Sequence, residues 1–254
     1  MDSALPPGYR REHHDSLPSS NARALEAARA GVPTGLWVTA GVQTAGRGRR
    51  GRAWSTDGGN LAASLLLVDP APAAVAATLS FVAGVALHRA AVDLAGPAVA
   101  ERLALKWPND LLLDRRKAAG ILVEGEKLAS GVFAAVIGIG VNCASHPELE
   151  GGYKATDFAE RGLPVSSEDL FGRLALRAAE EIARWDRGEG FADTRAAWLA
   201  RAAGVGEPIR VNLPEGAFDG RFEALDEDGR LVLAEANGRH RIVGAGDVFL
   251  TGAS

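Results

Sequence analysis

The distribution of apolar and polar residues divides the chain into a long first part and a short second part, which meet near residues 204–206. In the first part, runs of apolar and β-branched residues predict strands at residues 35–40, 61–68, 103–114, 117–124 and 132–141. Only short polar links, at residues 114–116 and 125–127, separate the last three runs. A parallel return needs a crossover of about a dozen residues, so these three runs are expected to form antiparallel hairpins.

Four further segments of the first part have the features of helices. Ser19, Ser20 and Asn21 supply N-cap oxygens for the first helix, which Gly31 and Pro33 end. The other three are predicted at residues 69–93, capped by Asp69 and Pro70, at residues 166–185, with one apolar face, and at residues 191–203. Residues 1–18 show no hydrophobic periodicity and are predicted to be an extended or partly ordered lead-in.

The second part of the chain has the pattern of a small β domain. Short strands are predicted at residues 208–213, 219–225, 230–235, 239–243 and 247–250. The dipeptides Asp228-Gly229 and Asn237-Gly238 are strong hairpin signals between them. Five short strands in so few residues predict a small barrel, so we expect one domain at residues 1–204 and a second at residues 205–254.

Composition limits the classes of protein to which the chain can belong. Its 254 residues are 47% hydrophobic and 24% charged, and the net charge is -4, which argues against bulk affinity for nucleic acid. The single cysteine, Cys143, excludes an intrachain disulfide and is expected to be a buried, inert thiol. The longest apolar runs are far shorter than the roughly 20 residues of a membrane helix, and no secretory pattern is visible. We expect a cytoplasmic protein.

A basic, glycine-rich loop is the most distinctive feature of the first part. Residues 45–52 contain three glycines and four arginines, and Trp54 follows them. Glycine allows the backbone to approach a ligand closely, and the arginine side chain suits carboxylate and phosphate groups. A solvated basic loop is the alternative interpretation of this segment alone. We refer to residues 44–52 as the Gly/Arg loop.

Three more motifs follow at set spacings. They are Lys106-Trp107-Pro108-Asn109-Asp110, then residues 117–124 (KAAGILVE), then residues 137–142 (IGIGVN). In this order, and together with residues 43–54, they resemble the biotin protein ligases, and the resemblance extends from about Ser19 to the C-terminus. It implies an α+β fold in which a catalytic domain, related to class II aminoacyl-tRNA synthetases and built on a mainly antiparallel sheet, precedes a small SH3-like barrel.

The resemblance also implies an activity. Such enzymes activate biotin with ATP, giving biotinoyl-5′-adenylate and pyrophosphate, and then transfer the biotinoyl group to a lysine of a biotin carboxyl carrier domain. Mg²⁺ normally accompanies ATP. Many relatives also have an N-terminal DNA-binding domain, but about eighteen residues precede the similar region here. We therefore expect a ligase that does not bind DNA or a membrane. A homodimer is possible.

The matching positions define a candidate site. The resemblance implies that Lys106, Arg47 and Arg49 are catalytic. The residues that it places at biotin are Ser19, Ser20, Asn21, Gln43, Arg47, Gly48, Arg49, Lys106 and Gly120. The residues that it places at the nucleotide are Arg47, Arg49, Arg50, Trp54, Asn109, Lys117, Gly140 and Asn142. Asp110 and Glu124 are candidate Mg²⁺ ligands, between which the sequence does not choose.

Several of these residues have simpler interpretations. Ser19, Ser20 and Asn21 also serve as ordinary N-cap residues, and the chain departs from the family pattern at Pro18 and Ser20. Trp54 is alternatively a core residue. Arg50 and Arg52 either reach pyrophosphate or are simply solvated, and the sequence does not choose between these two interpretations.

Three other functions compete with biotin ligation. A lipoate or octanoate ligase of the same fold is the main rival. A nucleic-acid-binding module that uses the loop arginines is a second. A dinucleotide-binding fold is a third, but the loop glycines lead into Ala53-Trp54-Ser55 rather than into an apolar helix.

Overall fold

A seven-stranded sheet forms the centre of the protein. The computed structural model describes residues 5–148 and 154–251. The strands are β1 (Arg10–Leu17), β2 (Leu36–Gln43), β3 (Leu61–Val68), β4 (Leu103–Lys106), β5 (Asp110–Leu113), β6 (Arg116–Lys127) and β7 (Phe133–Val141). Their order across the sheet is β1-β2-β3-β7-β6-β5-β4, and every neighbouring pair is antiparallel except β1 and β2. The predicted antiparallel hairpins are confirmed.

Helices cover both faces of this sheet. They are α1 (Ser20–Arg29), α2 (Ala73–Ala76), α3 (Leu79–Ala95), α4 (Ser167–Trp185) and α5 (Phe191–Leu199). Helix α1 packs on one face against β2, β3 and β7, whereas α3, α4 and α5 pack together on the other. Consecutive strand residues point to opposite faces, so Leu65 lies in the larger core with α3 and Leu66 in the smaller core with α1. Burial of both faces explains why the central strands are continuously apolar.

Strand β1 lies in the segment expected to be a lead-in, and this is a correction to that expectation. Arg10–Leu17 is the edge strand of the sheet, parallel to β2. Its partners are polar: Arg11 forms an ion pair with Glu168, and Glu12 accepts hydrogen bonds from Arg23. An edge strand held by charged side chains has no apolar alternation, which is why the sequence pattern did not reveal it.

Two predicted elements are interrupted. The run at residues 103–114 is not one strand but the hairpin β4–β5, which turns at residues 107–109 and pairs Lys106 with Asp110. The helix predicted from Asp69 begins later, because Asp69 has a φ of +53° and does not act as a cap. It divides into α2 and α3 at Thr78, whose hydroxyl accepts a hydrogen bond from Trp185 Nε1. The segment Ala73–Ala95 is apolar enough to span a membrane, but 72% of its 18-residue apolar window is buried inside the protein.

The C-terminal strands form a second, five-stranded sheet. They are β8 (Pro208–Leu213), β9 (Gly216–Leu225), β10 (Leu231–Ala234), β11 (His240–Val243) and β12 (Asp247–Leu250), in the order β11-β10-β9-β8-β12. Within the described part of the chain, β11 and β12 do not pair with each other, so the sheet is open and the closed barrel is not observed. Trp107 Nε1 donates a hydrogen bond to the Gly229 carbonyl, 3.0 Å away, and so ties the β4–β5 turn to this sheet.

The domain boundary at residues 204–205 remains a prediction.

Cys143 is buried, as expected, and burial raises the pKa of its thiol to about 12.

Candidate functional site

Two adjoining cavities lie where the four sequence motifs meet. The larger, of about 460 Å³, is enclosed by the Gly/Arg loop, the β4–β5 turn and the segment Gly246–Val248 of the C-terminal sheet. The smaller, of about 50 Å³, lies between the start of α1 and the middle of β6 and β7. Gly48, Trp54 and Lys117 line both cavities, so the two form one continuous cleft.

The structure brings nearly all the predicted site residues to this cleft. The predicted residues that line the larger cavity are Gly48, Arg49, Trp54, Lys106, Asn109, Lys117 and Asn142. Those that line the smaller one are Ser19, Ser20, Asn21, Gln43, Arg47, Gly48, Trp54, Lys117, Gly120 and Gly140. Arg50 lines neither cavity.

Three charged side chains at the β4–β5 hairpin form the electrostatic centre of the larger cavity. Lys117 Nζ lies 2.7 Å from one oxygen of Asp110, and Lys106 Nζ lies 3.6 Å from the other. Burial lowers the pKa of Lys106 to about 8; Asp110 opposes this shift and Lys117 adds to it. Burial alone would raise the pKa of Asp110, but the two ammonium groups outweigh it and lower that pKa. The hairpin therefore holds a buried lysine that is still mainly charged at neutral pH.

The Gly/Arg loop is itself a tight hairpin. Gly48 N donates to Arg52 O at 2.7 Å, and Trp54 N donates to Gly46 O at 2.9 Å. Arg49 points into the cleft, where its guanidinium donates to Asn109 Oδ1 at 3.2 Å. Burial lowers the pKa of Arg49, although Asp110 and Asp247 favour its charged form. Arg49 of the loop therefore lines the same cavity as Lys106, Asp110 and Lys117.

Asp247, on β12 of the C-terminal sheet, is a site residue that the sequence reasoning missed. Its two oxygens accept hydrogen bonds from Arg50, at 3.0 Å, and from Arg52, at 2.8 Å. Both arginines are therefore paired with a carboxylate of the C-terminal sheet, and the contact of either with pyrophosphate remains a prediction. The only sequence signal was an acidic residue in a glycine-rich turn, which has no motif value without the fold.

Trp54 lies across the sheet between the two cavities. A Cβ at Gly140 would be 2.3 Å from Cε2 of its indole, and one at Gly120 would be 3.0 Å from Cζ3. Lys117 Nζ is 5.6 Å from the ring centroid. Gly120 and Gly140 lie on neighbouring strands, and the indole packs in the space that their missing side chains leave. Trp54 is only half-buried and lines both cavities, which argues against the core interpretation.

A hydrogen-bonded network of small polar side chains forms one wall of the smaller cavity. Ser20 N and Oγ both donate to Gln43 Oε1, at 2.8 and 3.0 Å, and Ser64 Oγ contacts Ser20 Oγ at 2.7 Å and Asn21 Oδ1 at 2.6 Å. A Cβ at Gly138 would lie 2.3 Å from Asn21 Oδ1, so this glycine makes room for the amide.

Three of the predicted residues also have structural roles. Ser19 is the N-cap of α1, and its hydroxyl accepts from Ala22 N at 3.4 Å. Asn142 is buried, and its amide donates to Thr156 O at 3.1 Å. Asn109 similarly donates to Ile121 O at 2.7 Å.

The two candidate metal ligands do not fit a Mg²⁺ site held by the protein. Both oxygens of Asp110 face ammonium groups. Both oxygens of Glu124 lie 3.1 Å from Arg47 Nη2. Adjacent cations compete with a divalent ion for each carboxylate, so a Mg²⁺ that accompanies a nucleotide would depend on phosphate and water ligands.

Comparison with known proteins agrees with this arrangement. Residues 16–142 match the model of the biotin/lipoate A/B protein ligase family, and residues 204–251 match that of the biotin protein ligase C terminal domain. The chain is 44% identical to the biotin–[acetyl-CoA-carboxylase] ligase of Paracoccus denitrificans, over 92% of this chain and 98% of that protein. It is 34% identical to the Mycobacterium tuberculosis protein of the same name, over 91% and 85%.

Solved structures show the same fold. The biotin protein ligase of Aquifex aeolicus, solved with biotin and ATP, superposes with a TM-score of 0.77 at 24% identity and covers 95% of this chain and 99% of its own. The Leishmania major enzyme with biotinyl-5-AMP has a TM-score of 0.63, at 22% identity, and the match covers 94% of this chain and 100% of that one. Fold, motifs and sequence relatives agree, and the chain belongs to the biotin/lipoate A/B protein ligase family, as one of its biotin protein ligases.

Proposed function

We propose that the protein activates biotin with ATP and transfers the biotinoyl group to a lysine of a biotin carboxyl carrier domain. One observation supports this most strongly: four separate motifs meet at one cleft, which joins a polar pocket to a cavity lined by cations. The relatives named for this activity are similar over nearly the whole chain.

The first step forms a mixed anhydride. A carboxylate oxygen of biotin attacks the α-phosphorus of ATP, and pyrophosphate leaves. Negative charge builds up on phosphate oxygens, and fixed positive charge stabilises it without reorganisation. Lys106 is suited to this role because Asp110 and the β4–β5 hairpin hold its ammonium group in place. Arg49 and Lys117 add charge from the loop above it and from β6.

The second step consumes the anhydride. The amine of the carrier lysine attacks the biotinoyl carbonyl carbon, an amide forms and AMP leaves. Water would hydrolyse the same bond, so the intermediate needs a cover. The Gly/Arg loop is positioned to supply it, with Arg47 at the smaller cavity and Arg49 at the larger.

The polar wall of the smaller cavity favours biotin over lipoate. The ureido group of biotin has two N–H donors and one carbonyl acceptor, which can pair with hydroxyl and amide groups. The dithiolane ring of lipoate has no strong donor or acceptor, and would leave the buried polar side chains of Ser20 and Asn21, and the half-buried Gln43, without a ligand partner.

The remaining properties are also proposals. We expect no specific DNA binding through the loop, because Arg47 is paired with Glu124 while Arg50 and Arg52 are paired with Asp247. We place the enzyme in the cytoplasm. Light scattering with and without biotin plus ATP distinguishes a monomer from a homodimer.

The variant Lys106→Ala tests the central charge. It should abolish biotin-dependent exchange of pyrophosphate into ATP, because the lost ammonium group acts mainly as phosphate charge develops. Asp110 retains Lys117 as a partner, so the fold should persist, as circular dichroism can verify. In the wild type, kcat/KM for exchange should fall as the pH rises past about 8, the pKa of Lys106.

Lys127→Arg, which changes a lysine at the far end of β6, should keep this alkaline decline. Near-normal exchange by folded Lys106→Ala, or a profile that stays flat well above pH 8, would contradict the role of Lys106.

The variant Gly140→Ala tests whether Trp54 supports the nucleotide. The new Cβ displaces the indole, which it would approach to 2.3 Å. Because base–aromatic stacking contributes about 1–3 kcal/mol, we expect about tenfold or greater weakening of ATP binding in calorimetry. Gly58→Ala is the control, since its Cβ would meet nothing within 4 Å. Equal affinities of the two variants for ATP would rule out this role of Trp54.

Trypsin tests whether the Gly/Arg loop orders over the intermediate. Its glycines make it entropically costly to fix, and each of its four arginines is a cleavage site for trypsin, so we expect rapid cleavage in the free enzyme. Biotin plus ATP should slow cleavage strongly, and ATP alone should slow it less, because only the adenylate spans both cavities. The same rate in all three states would show that the loop is not a cover.

A further inference from the structure

Glu124 joins the Gly/Arg loop to the wall of the smaller cavity. Its carboxylate, on β6, accepts hydrogen bonds from Arg47 Nη2 at 3.1 Å and from Asn21 Nδ2 at 2.8 Å. Arg47 belongs to the loop, and Asn21 belongs to the first turn of α1. One side chain thus contacts two elements that are far apart in the sequence and meet at the same cavity.

This contact fixes the orientation of a buried amide. An ionised carboxylate only accepts hydrogen bonds, so Asn21 must turn its NH₂ group towards Glu124. That group also faces the Leu122 carbonyl, at 3.3 Å. The amide oxygen of Asn21 then faces Ser64 Oγ, 2.6 Å away, where it can only accept. A flip of the amide would place its oxygen against two acceptors, the carboxylate of Glu124 and the carbonyl of Leu122.

The same constraint passes along the wall of the cavity. Ser64 is fully buried, and its single hydroxyl proton is used in the bond to Asn21 Oδ1. In its 2.7 Å contact with Ser20 Oγ it can therefore only accept, and the one hydroxyl proton of Ser20 has a second acceptor, Gln43 Oε1, at 3.0 Å. Gln43 Oε1 also accepts from Ser20 N, and Gln43 Nε2 donates to Thr56 Oγ1 at 3.1 Å. The carboxylate thus sets the direction of the hydrogen bonds at Asn21 and Ser64.

We propose that Glu124 is a positioning residue for the biotin pocket, which sets the donor and acceptor pattern of its wall and holds Arg47 of the loop against it. The inference rests on the proposed function, because it concerns recognition of the ureido group. That group has two donors and one acceptor in a fixed plane, so a wall whose dipoles are set in advance binds it more tightly.

Glu126 provides a matched control on the same strand. It lies two residues further along β6 and forms an equivalent ion pair with Arg29, at 2.6 Å. Neither glutamate lines a cavity itself, but Glu124 contacts two residues that do, Asn21 and Arg47, whereas Arg29, the partner of Glu126, lines neither cavity. Loss of its charge removes a comparable surface ion pair without touching Asn21 or Arg47.

The experiment measures the dissociation constants of biotin and ATP by calorimetry in Glu124→Gln and Glu126→Gln. Glutamine keeps the size of the side chain but lets either face of its amide meet Asn21. Biotin should bind Glu124→Gln about tenfold more weakly, the effect of losing one charge-assisted hydrogen bond. ATP affinity should be unchanged in both variants, and Glu126→Gln should bind biotin like the wild type.

A charge exchange supplies the rescue. Asn21→Asp alone places two carboxylates together and should also bind biotin weakly. In Asn21→Asp with Glu124→Gln, the glutamine NH₂ can donate to the new carboxylate, which still accepts from Ser64. The double variant should therefore bind biotin more tightly than either single variant. Independent effects, in which the two losses multiply, would overturn the proposal.

Other results are also decisive. Wild-type biotin affinity in Glu124→Gln overturns the proposal, whereas failure of the wild-type protein to bind biotin overturns the proposed function instead. If Glu124→Gln does not fold, Glu124→Asp replaces it. The shorter carboxylate keeps the charge but not the reach to both partners, so wild-type biotin affinity in that variant overturns the proposal as well.

Discussion

The cleft depends on one interaction, the pairing of the buried Asp110 carboxylate with the ammonium groups of Lys106 and Lys117. Of these two lysines, Lys106 is buried and Lys117 is half-buried. Removal of the carboxylate would take an opposite charge away from both, which is most costly at the buried Lys106. With it, burial lowers the pKa of Lys106 only to about 8, and the positive charge survives at neutral pH. Charge inside a low-dielectric cleft is the means by which phosphate transfer is accelerated.

The second constraint is that the backbone of β7 must leave space for the side chains that pack against it at the cleft. Strand β7 alternates large apolar residues with glycine at positions 138 and 140, and the two glycines face Asn21 and Trp54. The apolar residues between them hold the sheet in the core, while the glycines leave space on the face where the ligands bind. One strand therefore supports both stability and recognition. The C-terminal sheet completes the site, because Asp247 pairs with two arginines of the loop.

The sequence predicted the parts of the structure in which local pattern and burial agree. Strands β3 and β7 are apolar on both faces, and α4 has one apolar face, so their patterns were visible in the sequence. The edge strand β1 was missed because ion pairs, not apolar contacts, hold it to the sheet. The hairpin at Trp107 was missed because both of its strands are apolar, and the indole that separates them is buried against the C-terminal sheet.

The candidate site also contains residues that the sequence identified and residues that only the fold reveals. Residues inside the four motifs were identified from their resemblance to the family, and the fold brings nearly all of them to one cleft. Asp247 and Ser64 have no motif around them, and their roles depend on strands that meet only in three dimensions. The positioning role of Glu124 was hidden for the same reason, since its partners lie 77 and 103 residues away.

The central claim is that the smaller cavity recognises biotin and the larger one the nucleotide. Calorimetry with biotin and with lipoate, each titrated with and without ATP, tests it most directly. The account predicts that biotin binds alone, that ATP then binds with a further heat signal as the adenylate forms, and that lipoate gives no comparable signal. Saturable binding of lipoate, with no heat from biotin in either condition, would contradict it.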